Sequence, residues 1–314
     1  MTKLLIAFSF PDEMAARLHE KYRSVSFVFC QSKREMLENI QDAQVLMAFS
    51  CTKETLEQAK ALKWIQALGA GVDALPLDYI KEQGLILTNG KGIHQSHMAE
   101  YAIWAMISLA RNTHTMFRNQ MIRTWDNKVS QREISGATLG ILGLGSIGKK
   151  IAEKASALGM HVIGVKRTLE DVSGVERVYG EEDMELVFSQ SDYIINLLPH
   201  TPRTTGKIDA HFFNLMKKDA CFINIGRGAT VNEADMIHAL ERQSIRGVLS
   251  DVFTEEPLPP HSPLWGLENV IITPHICGVS PRYTEKALEI IDHNLNAYLN
   301  GGEMINVVDL KEGY

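Results

Sequence analysis

The chain is poor in the features that would tie it to a membrane, a nucleic acid or an oxidising compartment. No stretch approaches the roughly 18 consecutive apolar residues that a membrane-spanning helix requires, although 45% of the 314 residues are hydrophobic. The run Leu4–Phe10 is short and ends in Pro11, Asp12 and Glu13 without a small-residue cleavage site, so it reads as a first buried strand rather than a secretion signal. Neither sign of charge dominates: 32 Lys and Arg face 38 Asp and Glu, a net charge of −6. Nucleic acid and anionic membrane therefore have no broad basic surface to bind, and any anion site must be local. The four cysteines, Cys30, Cys51, Cys221 and Cys277, are scattered and lack C-x-x-C spacing. That excludes a disulfide scaffold and favours reduced thiols in a cytoplasm, the expected location. Low-complexity tracts, Ser/Gly linkers and short internal repeats are absent as well.

What is present is a long alternation of strand-like and helix-like segments. Strand-like runs at Lys3–Ser9, Val25–Phe29, Gln44–Phe49, Trp64–Leu68 and Leu85–Thr88 alternate with helical patterns at Asp12–Tyr22, Lys33–Ile40, Lys53–Ala61 and Leu75–Gln83. A second series runs through Thr138–Leu142, His161–Val165, Tyr193–Leu197, Ala220–Ile225, Gly247–Asp251 and Val270–Thr273. Such β-α repetition implies parallel sheets, and the length suits two α/β domains. Met98, Tyr101, Ala102, Ala105, Met106 and Leu109 share one face of a long helix expected between His94 and Arg111, at the hinge between the domains. The polar stretch from Thr113 to Gln131, with Trp125 embedded, is expected to be an extended arm. Pro281–Leu299 is expected to be a helix that returns to the first domain.

Residues 139–148 carry the first chemistry. An apolar strand runs into a G-x-G-x-x-G turn made by Gly143, Gly145 and Gly148, followed by Ile147, Ile151, Ala152, Ala155 and Leu158 at helical spacing. A turn of this kind lets the backbone approach a pyrophosphate and aims free N–H groups of the helix N-terminus, from Ser146 and Ile147 onward, at the anion. Three further groups lie at or just beyond predicted strand ends: Arg227 in INIGRG, Glu256 in DVFTEEP and His275 in TPHICG. They are spaced about one β-α unit apart, so they can converge at the sheet edge where open α/β sheets bind ligands.

With the glycine turn, these runs resemble the signatures of the D-isomer-specific 2-hydroxyacid dehydrogenase family. The resemblance extends to GAGVD at Gly69–Asp73, similar to the family's substrate-carboxylate loop, and to Thr88–Tyr101, similar to its interdomain crossover. It implies two doubly wound parallel-sheet domains, a Rossmann-type dinucleotide-binding domain (98–281) inserted in a flavodoxin-like substrate domain (1–97 and 282–314). It also implies a homodimer. The implied roles agree with what reduction of a 2-oxo acid demands. Arg227 offers a permanently charged planar fork for the carboxylate and carbonyl. Histidine changes charge near neutrality, so His275 can give a proton to the C2 oxygen and take it back, with Glu256 fixing the ring through the other nitrogen. Backbone N–H groups at Ala70 and Gly71 would add to the carboxylate cradle. Asp251 is similar to the family aspartate near the nicotinamide carboxamide, and Pro199 and Ile225 are expected beside the cofactor. His94, His97 and Glu100 are spaced along one helix, but hydride transfer needs no metal and no fourth ligand is spaced for one, so no metal is expected.

Where an acidic residue would bind the adenosine ribose hydroxyls, this chain reads Val165-Lys166-Arg167-Thr168. Two cations and a hydroxyl suit a 2′-phosphate, so NADP(H) is the favoured cofactor and NAD(H) the alternative. The loop Phe49-Ser50-Cys51-Thr52 offers no cation before Lys53 for a phosphorylated substrate. The expected substrate is therefore a small unphosphorylated 2-oxo acid such as glyoxylate or hydroxypyruvate. The competing readings are an NAD-linked D-2-hydroxyacid or phosphoglycerate-type dehydrogenase, and a dinucleotide-sensing protein resembling a transcriptional corepressor.

Overall fold

The computed structural model describes residues 1–8 and 10–311. Ser9, at the end of the first expected strand, and residues 312–314 lie outside them. The chain divides into two compact units, one made of Met1–Ile93 with Ser280–Tyr314, the other of His94–Val279.

The first unit is built on β1 (Thr2–Ile6), β2 (Val25–Phe29), β3 (Val45–Ala48), β4 (Trp64–Ala67) and β5 (Ile86–Thr88). They pair in the order β2-β1-β3-β4-β5, every neighbour parallel. This is the doubly wound order that starts at β1 and reverses beside it. The central strands β3 and β4 are buried along their whole length, which is why they read as unbroken apolar runs rather than alternating ones.

A buried polar chain crosses the back of this unit. Trp64 Nε1 donates to Thr88 Oγ1 (2.8 Å), Thr88 Oγ1 donates to Gln66 Oε1 (2.8 Å), and the same oxygen accepts from Asn294 Nδ2 (3.0 Å). Asn294 also exchanges bonds with the backbone of Ile305 (2.8 and 3.1 Å). Asn294 lies on the helix Tyr283–Asn300, whose Ala287, Ile291 and Leu295 join the core around Leu4, Ile6 and Trp64. The final helix is thus fastened to the sheet by apolar packing and by donors that would be costly to leave unmade.

The second unit holds β6 (Thr138–Leu142), β7 (His161–Val165), β8 (Arg177–Tyr179), β9 (Tyr193–Asn196), β10 (Cys221–Asn224), β11 (Gly247–Ser250) and β12 (Val270–Ile272). The parallel order is β12-β11-β10-β9-β6-β7-β8. The strand order reverses between β6 and β9, leaving a crevice at their carboxyl ends, the place where dinucleotides bind in this fold. The helix Gln95–Ala110 packs with the helix Ser146–Ala157 on one face, burying Met98, Ala102, Ala105, Met106 and Leu109 against Ile151, Ala152 and Ala155.

Two features depart from the sequence expectation. β8 is an additional edge strand, only three residues long and too short to show alternation. The stretch expected as an extended arm begins as the helix Thr113–Met121. Residues 113–131 contain neither glycine nor proline, so nothing local prevents a helix there, and the polarity that suggested an arm reflects the absence of any buried residue in it. The remainder, 122–131, lacks regular structure and is pinned where it returns, Asn112 Nδ2 donating to Ser130 O (2.8 Å) and Arg111 Nε to Gln131 Oε1 (2.6 Å).

Replacing Asn294 with Leu, similar in size, would leave the Ile305 N–H and carbonyl without their side-chain partner inside the first unit. Unfolding of that unit is expected to lose about 1–3 kcal/mol of stability, measured as a lower urea midpoint at unchanged slope.

Candidate active site

The glycine turn is formed at the end of β6. Gly143 takes φ +106°, a left-handed value that a side chain would oppose, and both Gly143 and Leu144 donate to Val165 O (3.2 and 3.0 Å). An ideal Cβ on Gly148 would come within 2.3 Å of Gly143 O, whereas one on Gly145 would meet nothing within 4 Å. Gly148 is therefore held to glycine by helix-strand contact, and Gly145 fronts open space. Gly145 caps the helix Ser146–Ala157 without a side-chain bond, and no acidic residue occupies the first turn. The N–H groups of Ser146 and Ile147 and the positive end of the helix are thus left for an anion, an arrangement that fits a pyrophosphate.

Beyond β7, Lys166 N donates to Tyr179 O (2.9 Å), which fixes the backbone just where the expected cofactor-reading segment Lys166-Arg167-Thr168 begins. Arg167 and Thr168 are exposed. The Lys166 ammonium lies 2.8 Å from Glu170 Oε1, and the same oxygen accepts from Lys149 Nζ at 3.0 Å. The two lysines hold the Glu170 carboxyl down at about 2, chiefly through their hydrogen bonds. Glu170 and Lys149 are not visible as site residues in the sequence, since they are separated by 21 positions and belong to no motif.

Three loops at the carboxyl ends of β10, β11 and β12 bear Arg227, Glu256 and His275. Glu256 Oε2 accepts from His275 Nδ1 at 2.6 Å, and Glu256 Oε1 accepts from Phe253 N at 2.9 Å. A carboxylate only accepts, so the bonded Nδ1 carries hydrogen and Nε2 is the ring's other site. The side chain of His275 is half exposed. Arg227 is half-buried, with Nη1 donating to Gly226 O (2.9 Å). Its neighbour Gly228 abuts the next loop so closely that an ideal Cβ would lie 2.0 Å from the Phe253 carbonyl. The arginine loop thus rests on the residue whose N–H is held by Glu256, which in turn holds His275.

Asp251 is completely buried at the end of β11. Its Oδ1 accepts from Ile276 N (3.0 Å) and Thr273 Oγ1 (2.6 Å), and its Oδ2 accepts from Cys277 N (2.9 Å). Tyr101 OH bonds to Thr273 Oγ1 as well. The backbone carbonyl of Asp251 takes the N–H of His275 (2.8 Å), and His275 sits at φ +53°. Expected beside the nicotinamide, the Asp251 carboxylate is found organising the histidine loop. Burial and Asp251 together push the Cys277 thiol far up, so it stays protonated.

Two asparagines missed in the sequence tie the neighbouring loops. Asn196, ending β9, donates to Asn224 Oδ1 (3.0 Å), at the end of β10, and to Thr230 Oγ1 (2.8 Å), which itself donates to Arg227 O (2.7 Å). An Asn closing each of two otherwise apolar strands was the available signal. Pro199 follows β9, its carbonyl accepting from Thr204 Oγ1 (2.6 Å), and Ile225 is buried after β10. His97 Nε2 lies 3.0 Å from Gly278 O, and His200 bonds to Thr205 Oγ1. In the first unit, the GAGVD loop follows β4: Asn89 Nδ2 donates to Ala70 O (2.9 Å) and Gly90 N to Gly69 O (2.8 Å), so Ala70 and Gly71 sit on a fastened turn.

The NAD binding domain of the D-isomer specific 2-hydroxyacid dehydrogenases matches residues 103–277. A D-3-phosphoglycerate dehydrogenase of Methanocaldococcus jannaschii is 34% identical over 99% of this chain, which spans 60% of that protein's length. A glyoxylate/hydroxypyruvate reductase A of Yersinia enterocolitica is 31% identical over 87% of this chain and 88% of its own. The solved structure of a D-isomer specific 2-hydroxyacid dehydrogenase from Xanthobacter autotrophicus Py2, in complex with NADPH and MES, superposes with a TM-score of 0.89 at 27% identity, over 100% of this chain and 99% of that one. With more than half of the sequence matching the family's NAD binding domain, and with both sheets and the glycine turn in place, this chain belongs to the D-isomer specific 2-hydroxyacid dehydrogenases and is an oxidoreductase.

Proposed function

We propose that the enzyme is an NADP(H)-preferring reductase that converts a small unphosphorylated 2-oxo acid, of the glyoxylate or hydroxypyruvate kind, to the D-2-hydroxy acid. The observation that carries this reading is the 2.6 Å bond between His275 Nδ1 and Glu256, which leaves Nε2 for proton transfer. The nicotinamide, when bound, supplies the hydride. Arg227 grips the substrate carboxylate and draws electron density toward the C2 oxygen. His275 gives its Nε2 proton to that oxygen as negative charge develops, and takes it back in the oxidative direction. Glu256 orients the ring and balances its charge when protonated. The backbone at Ala70 and Gly71 is assigned to carboxylate binding. Gly143, Gly145, Ser146, Ile147 and Gly148 are assigned to the pyrophosphate, and Pro199, Ile225 and Asp251 to the surroundings of the nicotinamide.

NADP(H) preference is supported by cations where an acid would read the ribose, with Lys166 and Arg167 assigned to the 2′-phosphate and Thr168 beside them. The NADPH in the Xanthobacter relative accords with it. The reductase named in Yersinia supports the substrate class. The Methanocaldococcus relative favours a second reading, a phosphoglycerate-type dehydrogenase. Against it, the first cation in the sequence after β3, Lys53, lies by the Tyr79 ring (5.7 Å) and Glu57 (4.0 Å). Oxidation of NADPH and NADH against glyoxylate, hydroxypyruvate, pyruvate, longer 2-oxo acids and 3-phosphohydroxypyruvate separates the two. Cofactor binding without turnover on any of them would favour a dinucleotide sensor.

A second copy of the chain is the proposed partner for an apolar surface on the second unit. Trp104, Ile107, Phe117, Met121, Ile122 and Trp125, within 22 residues of sequence, are all exposed, Trp125 at 95%, and exposed apolar side chains that gather into a patch mark association sites.

Three outcomes are expected. His275→Ala lowers kcat by about 100- to 10,000-fold while cofactor binding, followed by fluorescence, is retained; undiminished turnover removes His275 from the mechanism. Lys166→Asp raises the KM for NADPH by about tenfold or more and that for NADH much less; equal changes refute the 2′-phosphate assignment. Sedimentation equilibrium gives a dimer that Ile122→Glu with Trp125→Glu weakens by at least about tenfold; a wild-type monomer at micromolar concentration rules the dimer out.

A further inference from the structure

The chain places a carboxylate between two ammonium groups at the point where the cofactor reading of Lys166 needs an empty seat. Lys166 reaches it from the end of β7, and Lys149 from the first turn of the helix after the glycine turn, so two different elements converge on one oxygen of Glu170 (2.8 and 3.0 Å). The three charges leave one net positive charge. Lys166 is the anchored member, with 20% of its side chain exposed, and Glu170 the outer one, with 46% exposed. Glu170 stays ionised at any working pH because the lysines hold it so low. An exposed carboxylate on a loop is weakly held relative to a phosphate dianion, which brings twice the charge and three acceptor oxygens to the same pair of cations.

We infer that Glu170 is a specificity-determining residue: an internal anion seated between Lys149 and Lys166 where the 2′-phosphate of NADP(H) binds, displaced by that phosphate and left in place by NAD(H). This rests on the assignment of Lys166 to the 2′-phosphate. Without Glu170 the two lysines would stand ready for the phosphate. With it, every molecule of NADP(H) must first break two ion pairs, and NAD(H) meets a surface whose positive charge is reduced. The carboxylate therefore narrows the discrimination that the lysines create. It also adds Lys149, outside the strand-end segment, to the phosphate seat.

The test is equilibrium titration of the full chain, by calorimetry and by nicotinamide fluorescence, with NADPH, NADH and the fragments 2′,5′-ADP and 5′-AMP. Glu170→Gln is expected to tighten NADPH and 2′,5′-ADP by about 3- to 10-fold while changing NADH and 5′-AMP by less than about twofold. In a Lys149→Ala, Lys166→Ala background the same substitution is expected to change neither pair by more than about twofold, because the cations it releases are gone. An unchanged 2′,5′-ADP affinity, a weakened one, or equal tightening of the phosphorylated and unphosphorylated ligands overturns the proposal. Lys166→Ala alone distinguishes the two levels. If it weakens NADPH selectively while Glu170→Gln does nothing, only the role of Glu170 falls; if it weakens NADPH and NADH alike, the 2′-phosphate assignment falls and this inference with it. Thermal unfolding of Glu170→Gln within about 2 °C of the wild type is expected for a pair this exposed, and confirms that the titrations compare equally folded proteins.

Discussion

A carboxylate that no water reaches must be answered by donors of the protein itself, and Asp251 is answered by the loop that follows β12. Two backbone N–H groups and two hydroxyls converge on it, from Ile276, Cys277, Thr273 and, at 3.4 Å, Tyr101. A buried charge lacking such partners would cost several kcal/mol, so the path of the chain from 273 to 277 follows from the need to deliver them. His275 lies within that path, its N–H spent on the Asp251 carbonyl and its backbone held at φ +53°. The imidazole thus inherits its position from a residue at the end of the preceding strand, β11. The same strand end supplies the other two constraints: Phe253 lies against Gly228 beside Arg227, and Glu256 bonds to both Phe253 and His275. The end of β11 is where the arginine loop and the histidine loop are brought into register.

The sheet explains why those groups are at one edge. In a parallel sheet all carboxyl ends point the same way, so every β-α loop of the second unit leaves from the same side. The reversal of order between β6 and β9 opens the loops apart there, and the glycine turn occupies that opening. The neighbouring loops are closed by side-chain bonds instead: Asn196, Asn224 and Thr230 link the ends of β9 and β10 into one buried polar cluster. Flexible connections would not carry an arginine at a defined place; here the loop of Arg227 is tied through Thr230 to Asn196.

Much of this is legible in the residues. β2, β6 and β7 begin and end where the runs read from the sequence do. β4, β9, β10, β11 and β12 stop one residue earlier than the expected strands, since Leu68, Leu197, Ile225, Asp251 and Thr273 already turn into loops. The glycine turn, Arg227, Glu256 and His275 stand out because each needs a particular residue type at a particular strand end. The helix Thr113–Met121 does not, having no buried side of its own to print a period on the sequence. Glu170, and the part Asp251 plays in holding the histidine loop, are illegible for another reason. Their significance lies in which donors reach them across space, and an exposed acid and a strand-end acid look alike until those partners are known.

The polar chain from Trp64 through Thr88 and Gln66 to Asn294 has a consequence for biosynthesis. Gln66 on β4 emerges from the ribosome 228 residues before Asn294, which bonds to it and to the Ile305 backbone. The second unit is continuous in the chain and has all its partners once residue 279 is made. The sheet of the first unit is thus completed late: Gln66 has Thr88 and Ala67 as early partners, but its bond from Asn294 and the packing of the last helix wait while an entire unit is produced and folds.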